Sequence, residues 1–146
     1  MSLDGTYDEG NVFALILEGK IPSVPLYEDA HTFCFLDIQP QSKGHALVIS
    51  KWSKARNILE IEEDALAQVM ATTRKVATAI RAALNPDGLH IAQFNGSAAG
   101  QTVFHLHVHI VPRWAGQAPG FVAHGQGQFA DADALQALAQ EIRAHL

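Results

Sequence analysis

Three histidines, His105, His107 and His109, occupy every second position of the run Thr102-Val-Phe-His-Leu-His-Val-His-Ile-Val111. Successive side chains of an extended strand alternate between faces. This spacing therefore sets the three imidazoles on one face and Phe104, Leu106, Val108 and Ile110 on the other. Near neutral pH an imidazole can attack as a nucleophile, move a proton or ligate a metal. One histidine on a half-buried strand is ordinarily a hydrogen-bonded core residue, but three in register are not accounted for by packing. The spacing alone leaves two chemistries open, a metal held by stacked imidazoles and a metal-free phosphoryl site.

Just upstream, Asn95-Gly-Ser-Ala-Ala-Gly100-Gln101-Thr102 is a small-residue loop whose glycines permit backbone amides to turn inward as a nest for an anion. Alone, such a stretch is an ordinary turn; here it feeds directly into the histidine strand. Zinc would call for further thiolate or carboxylate ligands, whereas the chain has one cysteine, Cys34, and no Cys-x-x-Cys pair. Phosphate chemistry is the better fit.

With these residues in view, the sequence resembles the histidine triad (HIT) family. The signature is His105-Leu-His107-Val-His109-Ile-Val111, and the match extends over Gly100-Gln-Thr-Val-Phe-His-Leu-His-Val-His-Ile-Val-Pro112-Arg113. Phe35-Leu-Asp37-Ile38-Gln-Pro40-Gln-Ser-Lys-Gly44-His45 resembles the family's other substrate-lining segment. The resemblance covers roughly residues 8–115, with the remaining loop and helix of residues 114–146 less diagnostic.

The resemblance implies a nucleotidyl hydrolase or transferase. His107 would attack the α-phosphorus of a purine nucleotide derivative and form a nucleotidyl-histidine intermediate. His109 and His45 would hydrogen-bond the nonbridging phosphate oxygens, and His105 would align the site and handle the leaving-group proton. Thr102 and the backbone of Gly100 and Gln101 would extend the phosphate cradle. Asp37 would accept the ribose hydroxyls, and Val12, Phe13, Phe35 and Ile38 would enclose the base. Where relatives often carry a polar amide before the loop, this chain has Phe94, so Gln93 or Asn95 would take over that contact. Bacterial relatives often bind structural zinc through an N-terminal Cys-x-x-Cys; this chain reads Asn11-Val-Phe-Ala14 there, so neither a metal nor another cofactor is expected. Nucleoside phosphoramidates and dinucleoside polyphosphates both fit as substrates. Two other classes remain: a nucleotide-binding or scaffold protein with little turnover, against which the intact triad argues, and a metal-binding protein, disfavoured by the missing thiolates.

The elements that must position these groups fit one domain of 146 residues, of which 48% are hydrophobic. A net charge of −5 with ten Lys and Arg argues against a nonspecific nucleic-acid binder. No apolar run is long enough to span a membrane and no signal-peptide pattern opens the chain, so a cytoplasmic location is expected. Cys34 lies in an apolar run and reads as a buried, inert thiol. The patterning predicts a short helix over residues 8–17, strands over 24–27, 31–36 and 46–49, and a long helix over 62–84 with Leu66, Val69, Val76, Ala77, Ile80 and Leu84 on one stripe. Strands over 89–94 and 103–111 follow. A final helix over 133–145 carries Leu135, Leu138, Ala139, Ile142 and Leu146 on one stripe, capped by Asp131 or Asp133. Residues 114–130, rich in Gly and Gln, read as a mobile loop. The expected fold is α+β and HIT-like, a five-stranded antiparallel sheet with a long packed helix and a C-terminal helix. The apolar helix stripe, the sheet edges and the resemblance imply a homodimer. His31, His90, His124 and His145 have no motif around them and read as structural or exposed.

Overall fold

The computed structural model describes residues 3–117 and 128–146. Its elements are α1 (Val12–Leu17), β1 (Pro25–Glu28), β2 (Thr32–Leu36), β3 (Ala46–Ser50), α2 (Glu63–Leu84), β4 (Gly88–Ala92), β5 (His107–Arg113) and α3 (Ala132–Arg143), with a short 3₁₀ turn at Ser97–Ala99. The five strands form one antiparallel sheet in the order β1-β2-β3-β5-β4. The expected α+β architecture is thus present, its first three strands a meander.

Alternation divides the sheet into two faces. Cys34, Leu36, Ala46, Val48, Val108 and Ile110 point to one side and pack with Val69, Val76 and Ile80 of α2 and Leu135, Ala139 and Ile142 of α3 in the main core. On the other side Phe35, Leu47 and Ile49 join Phe13 of α1 in a smaller cluster. The register pairs Ile49 with His107 and Leu47 with His109, which places the histidines on this second face. Burial of Cys34 pushes its thiol well above the ordinary range, so the thiol stays protonated and packs as a small apolar group.

Several expected boundaries move, each for a local reason. The first helix starts at Val12 rather than at residue 8 because Asn11 caps it: Asn11 Oδ1 accepts from the backbone N–H groups of Phe13 and Ala14, while Asp8 Oδ1 accepts from Gly10 N in the preceding turn. The last helix is capped by Asp131, whose carboxylate accepts from Ala134 N; Leu146 lies beyond it and is exposed rather than on the buried stripe. On α2, Thr72 and Thr73 share the buried face, whereas Leu66 is only half-buried. Thr72 is satisfied by a 2.6 Å hydrogen bond between its hydroxyl and that of Thr32. The strand expected over 89–94 is shifted to Gly88–Ala92.

The largest correction concerns the triad strand. It begins at His107 rather than at residue 103, because residues 103–105 form a bend and Leu106 N donates to Ala55 O instead of to a neighbouring strand. Phe104, expected in the core, is half-buried beneath the Arg56 guanidinium, 4.9 Å from its ring centroid. At its other end the strand runs on through Pro112 to Arg113. Most of the expected loop over 114–130, with His124, lies outside the described residues.

Candidate active site

The second face of the sheet brings together four imidazoles from two segments. His107 and His109 come from β5, and His105 from the bend before it. His45 comes from the turn before β3, where Asp37 N donates to His45 O at 2.9 Å and so ties the two segments' ends together. Gly44 precedes it with φ +91°, and a Cβ there would lie 2.6 Å from Leu84 Cδ1; only glycine lets this turn seat against α2. All four rings are buried, His45 at 1%, His105 at 2%, His107 at 3% and His109 at 0% exposure.

For a ring in its neutral form, hydrogen bonds assign which nitrogen carries the proton. His107 Nδ1 lies 2.8 Å from the backbone oxygen of His105, so Nδ1 carries the proton and donates it, leaving the lone pair on Nε2. Gln41 N donates to His45 Nδ1 at 3.0 Å, which puts the His45 proton on Nε2; that nitrogen donates to His109 Nδ1 at 3.0 Å. His109 must then carry its own proton on Nε2. Asp37 Oδ2 stands 3.6 Å from His45 Nε2, and Asp37 Oδ1 accepts from Gln39 N at 2.8 Å. The result is a nucleophilic nitrogen on His107 beside an N–H donor on His109, with ring centroids 4.9 Å apart.

His105 is engaged at both nitrogens. Nε2 donates to Ser50 O at 3.2 Å, and Nδ1 accepts from the Tyr7 hydroxyl at 2.8 Å. Burial pushes its pKa down to about 4, opposed only by the Ser50 carbonyl, so the ring is neutral near pH 7.

Next to the imidazoles is a cavity of about 230 Å³ lined by Val12, Phe13, Phe35, Asp37, Ile38 and Thr102, together with Ile16, Leu47 and Val103. Every residue expected to enclose a base, the expected ribose carboxylate and Thr102 of the expected cradle therefore line one apolar slot. The Phe13 ring bridges the slot to the triad, meeting His107 edge-on at 4.8 Å. A larger cleft of about 770 Å³ lies between α2 and β4 and contains none of these groups.

The small-residue loop is folded on itself. Gly100 N donates to Ser97 O, Gln101 N donates to Gly96 O, and the buried Gln101 side chain bonds Gly96 N, Arg56 O and Val103 O. The two amides expected to cradle phosphate thus hold the loop's shape, and Thr102 is the expected cradle residue that faces the cavity. Asn95 and Gln93 bond each other through both amides, and Asn95 Oδ1 also accepts from Ile58 N. Phe94 instead lies against His109, ring centroids 5.1 Å apart. Asp37, His45 and His109 are the one group among the described residues whose ligand atoms, within 4.8 Å of one another, could hold a metal. A metal there would displace the His45–His109 hydrogen bond, and three ligands fall short of the closed four of a structural zinc site. Sequence reasoning missed Tyr7, Gln41 and Ser50, whose contacts assign the tautomers; two of the three act through backbone groups and leave no trace in residue type.

A sheet carrying an alternating histidine strand over an apolar slot with a carboxylate at its edge defines a histidine triad fold. The HIT domain family model matches residues 18–116. The protein Hit of Bacillus subtilis is 44% identical over 115 residues, 79% of this chain and 78% of that protein. Adenosine 5'-monophosphoramidase HNT1 of Saccharomyces cerevisiae is 34% identical over 146 residues, 100% of this chain and 89% of that one. Among solved structures, a Hit-like protein involved in cell-cycle regulation from Bartonella henselae superposes with a TM-score of 0.88 at 39% identity, covering 97% of this chain and all of that one. The chain belongs to the HIT domain family.

Proposed function

We propose that this protein is a nucleotidyl hydrolase that cleaves at the α-phosphate of a purine nucleotide derivative, a nucleoside phosphoramidate being the substrate that the yeast relative's name favours. The observation that carries this reading is the bond from His107 Nδ1 to the His105 carbonyl, which leaves the lone pair on Nε2. In the first step Nε2 bonds to phosphorus while the bond from phosphorus to the leaving group breaks. The leaving group departs with that electron pair and takes up a proton from a water molecule, and the Nδ1–H of the now cationic ring stays on the His105 carbonyl. Water then breaks the phosphorus–nitrogen bond and releases the nucleoside monophosphate. The N–H of His109 and the hydroxyl of Thr102 stabilise charge on the phosphate oxygens. Asp37 takes the ribose, and the Phe13 slot takes the base. His105, with both ring nitrogens occupied by protein groups, aligns the site rather than carrying the leaving-group proton. The test is incubation with adenosine 5'-phosphoramidate: AMP release, with an adenylylated peptide containing His107 trapped by acid quench and mass spectrometry, supports the reading. No release and no adduct would reject it.

The same reading includes a homodimer. The cleft between α2 and β4 exposes Met70 and Ile91 beside an edge strand, and a second copy of that surface would cover both. Light scattering at micromolar concentration should give twice the monomer mass.

A further inference from the structure

The N-terminal segment before α1 reaches across the molecule to the triad. Its start is fixed where Leu3 O accepts from Arg56 Nη1 at 3.2 Å and from Asn57 Nδ2 at 2.8 Å, and Leu3 also packs at Gly96 of the small-residue loop. Its end is fixed by the ion pair of Glu9 with Lys54 and by Asn11 capping α1. Between these anchors Tyr7 delivers its hydroxyl to His105 Nδ1 at 2.8 Å, with the two rings' centroids 5.8 Å apart.

That contact acts on the peptide unit joining His105 to Leu106. Its carbonyl receives the Nδ1 proton of His107, and its N–H donates to Ala55 O at 3.0 Å. Lying in the bend before β5, the unit is held by no ladder hydrogen bond. Its orientation depends on Ala55 and on the His105 side chain, which is pinned on one side by Ser50 O and on the other by Tyr7. Among the described residues, Tyr7 is the one side chain that donates to either ring nitrogen of His105.

We propose that Tyr7 is a positioning residue for the nucleophile: through the His105 ring, its hydroxyl holds the carbonyl that keeps the proton of His107 on Nδ1 and the lone pair on Nε2. The hydroxyl suits that task as a donor. Burial raises its pKa above the ordinary value, with a side-chain hydrogen bond to Asn11 acting the other way. A segment outside the sheet therefore does part of the work of aligning a strand residue, through the His105 ring. The kinetic consequence rests on the nucleotidyl-transfer reading of the site; the tautomer consequence does not.

Tyr7→Phe removes the hydroxyl and keeps the ring. In the full-length protein, with adenosine 5'-phosphoramidate as substrate, kcat should fall about fivefold to tenfold, the rate equivalent of one neutral hydrogen bond, while KM stays within about twofold. The thermal midpoint should fall by no more than a few degrees, as expected for one hydrogen bond. In ¹⁵N-histidine spectra the wild type should show His107 as a single Nδ1–H tautomer and His105 Nδ1 as a hydrogen-bonded acceptor. In Tyr7→Phe the His105 signal should shift towards that of an unbonded nitrogen, and His107 should become a mixture. An unchanged His107 tautomer, an unchanged kcat, or a parallel fall of kcat, KM and thermal midpoint beyond those ranges would each overturn the proposal. So would a Tyr7→Phe protein like wild type beside an impaired Tyr7→Ala, which would assign the effect to ring packing. If the wild type fails to release AMP, the hydrolytic reading falls, and the spectra still decide the role of Tyr7.

Discussion

The two faces of the sheet are made from alternate residues of the same strands, yet they are held by different forces. Along β5, Val108 and Ile110 enter an aliphatic core closed by two helices, where apolar burial is the stabilising term. Their neighbours His107 and His109 enter a face where a short apolar cluster gives way to imidazoles linked to each other and to backbone groups. Dispersion and hydrophobic burial are non-directional, so the first face fixes where the strands lie. Hydrogen bonds are directional, so the second face fixes which nitrogen bears a proton. Stability and chemistry are therefore separable residue by residue, even between positions adjacent in the chain.

The sharpest way to break this comparison is a pair of substitutions on β5. His107→Asn should lower turnover by at least about a thousandfold, because the proposed reaction needs the imidazole lone pair to bond phosphorus, while an amide can still donate to the His105 carbonyl. Its unfolding free energy should stay within about 1 kcal/mol of wild type. Ile110→Ala should show the reverse: a loss of about 2–5 kcal/mol in urea unfolding, with kcat near wild type once the protein is folded. Turnover by His107→Asn, or a silent Ile110→Ala, would show that the faces are not divided in this way.

The pH dependence of stability probes the same division at His105. Its pKa of about 4 in the fold lies below the ordinary histidine value of 6.5, so the unfolded chain binds a proton here that the native one does not. The stabilising contribution is complete above pH 6.5 and is lost as pH falls from there towards 4. A displacement of this size corresponds to on the order of 3 kcal/mol. Urea titrations at pH 7 and pH 4.5 should show the wild type losing more stability than His105→Gln over that interval. Equal losses would place the sensitivity elsewhere.

The two faces also differ in how far the sequence reveals them. The alternation of His107, Val108, His109 and Ile110 reads directly as two faces because burial follows the strand period. The long helix and the five strands follow from the same periodicity, to within a few residues. Asp37 and His45 are legible only through the family resemblance, since nothing in their spacing points to β5. The bend before His107 is not legible: Leu106 bonds the backbone of Ala55, a partner set by tertiary packing and not by residue type. Tyr7 is hidden for the same reason, 98 positions from the ring that it contacts. The small-residue loop is legible as a loop, but periodicity says nothing of where its amides point, and those of Gly100 and Gln101 turn inward.

That inward turn sharpens the last and smallest expectation, which concerns Thr102. With two backbone amides committed to the loop, the proposed reaction rests more of the phosphate contact on the Thr102 hydroxyl, yet that hydroxyl sits at the exposed mouth of the cavity. Removing a buried, rigid donor to a developing oxyanion costs about 2.7–4 kcal/mol, and solvent at the mouth replaces part of what is lost. Thr102→Val should therefore lower kcat by roughly tenfold, about 1.4 kcal/mol, with little change in KM. Asp37→Asn supplies the contrast. Its carboxylate lines the slot proposed to take the nucleoside, so its loss should raise KM severalfold and change kcat less. Steady-state kinetics of both variants on one substrate decide the matter. If Thr102→Val moved KM alone, the hydroxyl would serve binding of the ground state, and the charge that grows during transfer would have to be met by the N–H of His109, since His45 donates its own proton to the His109 ring.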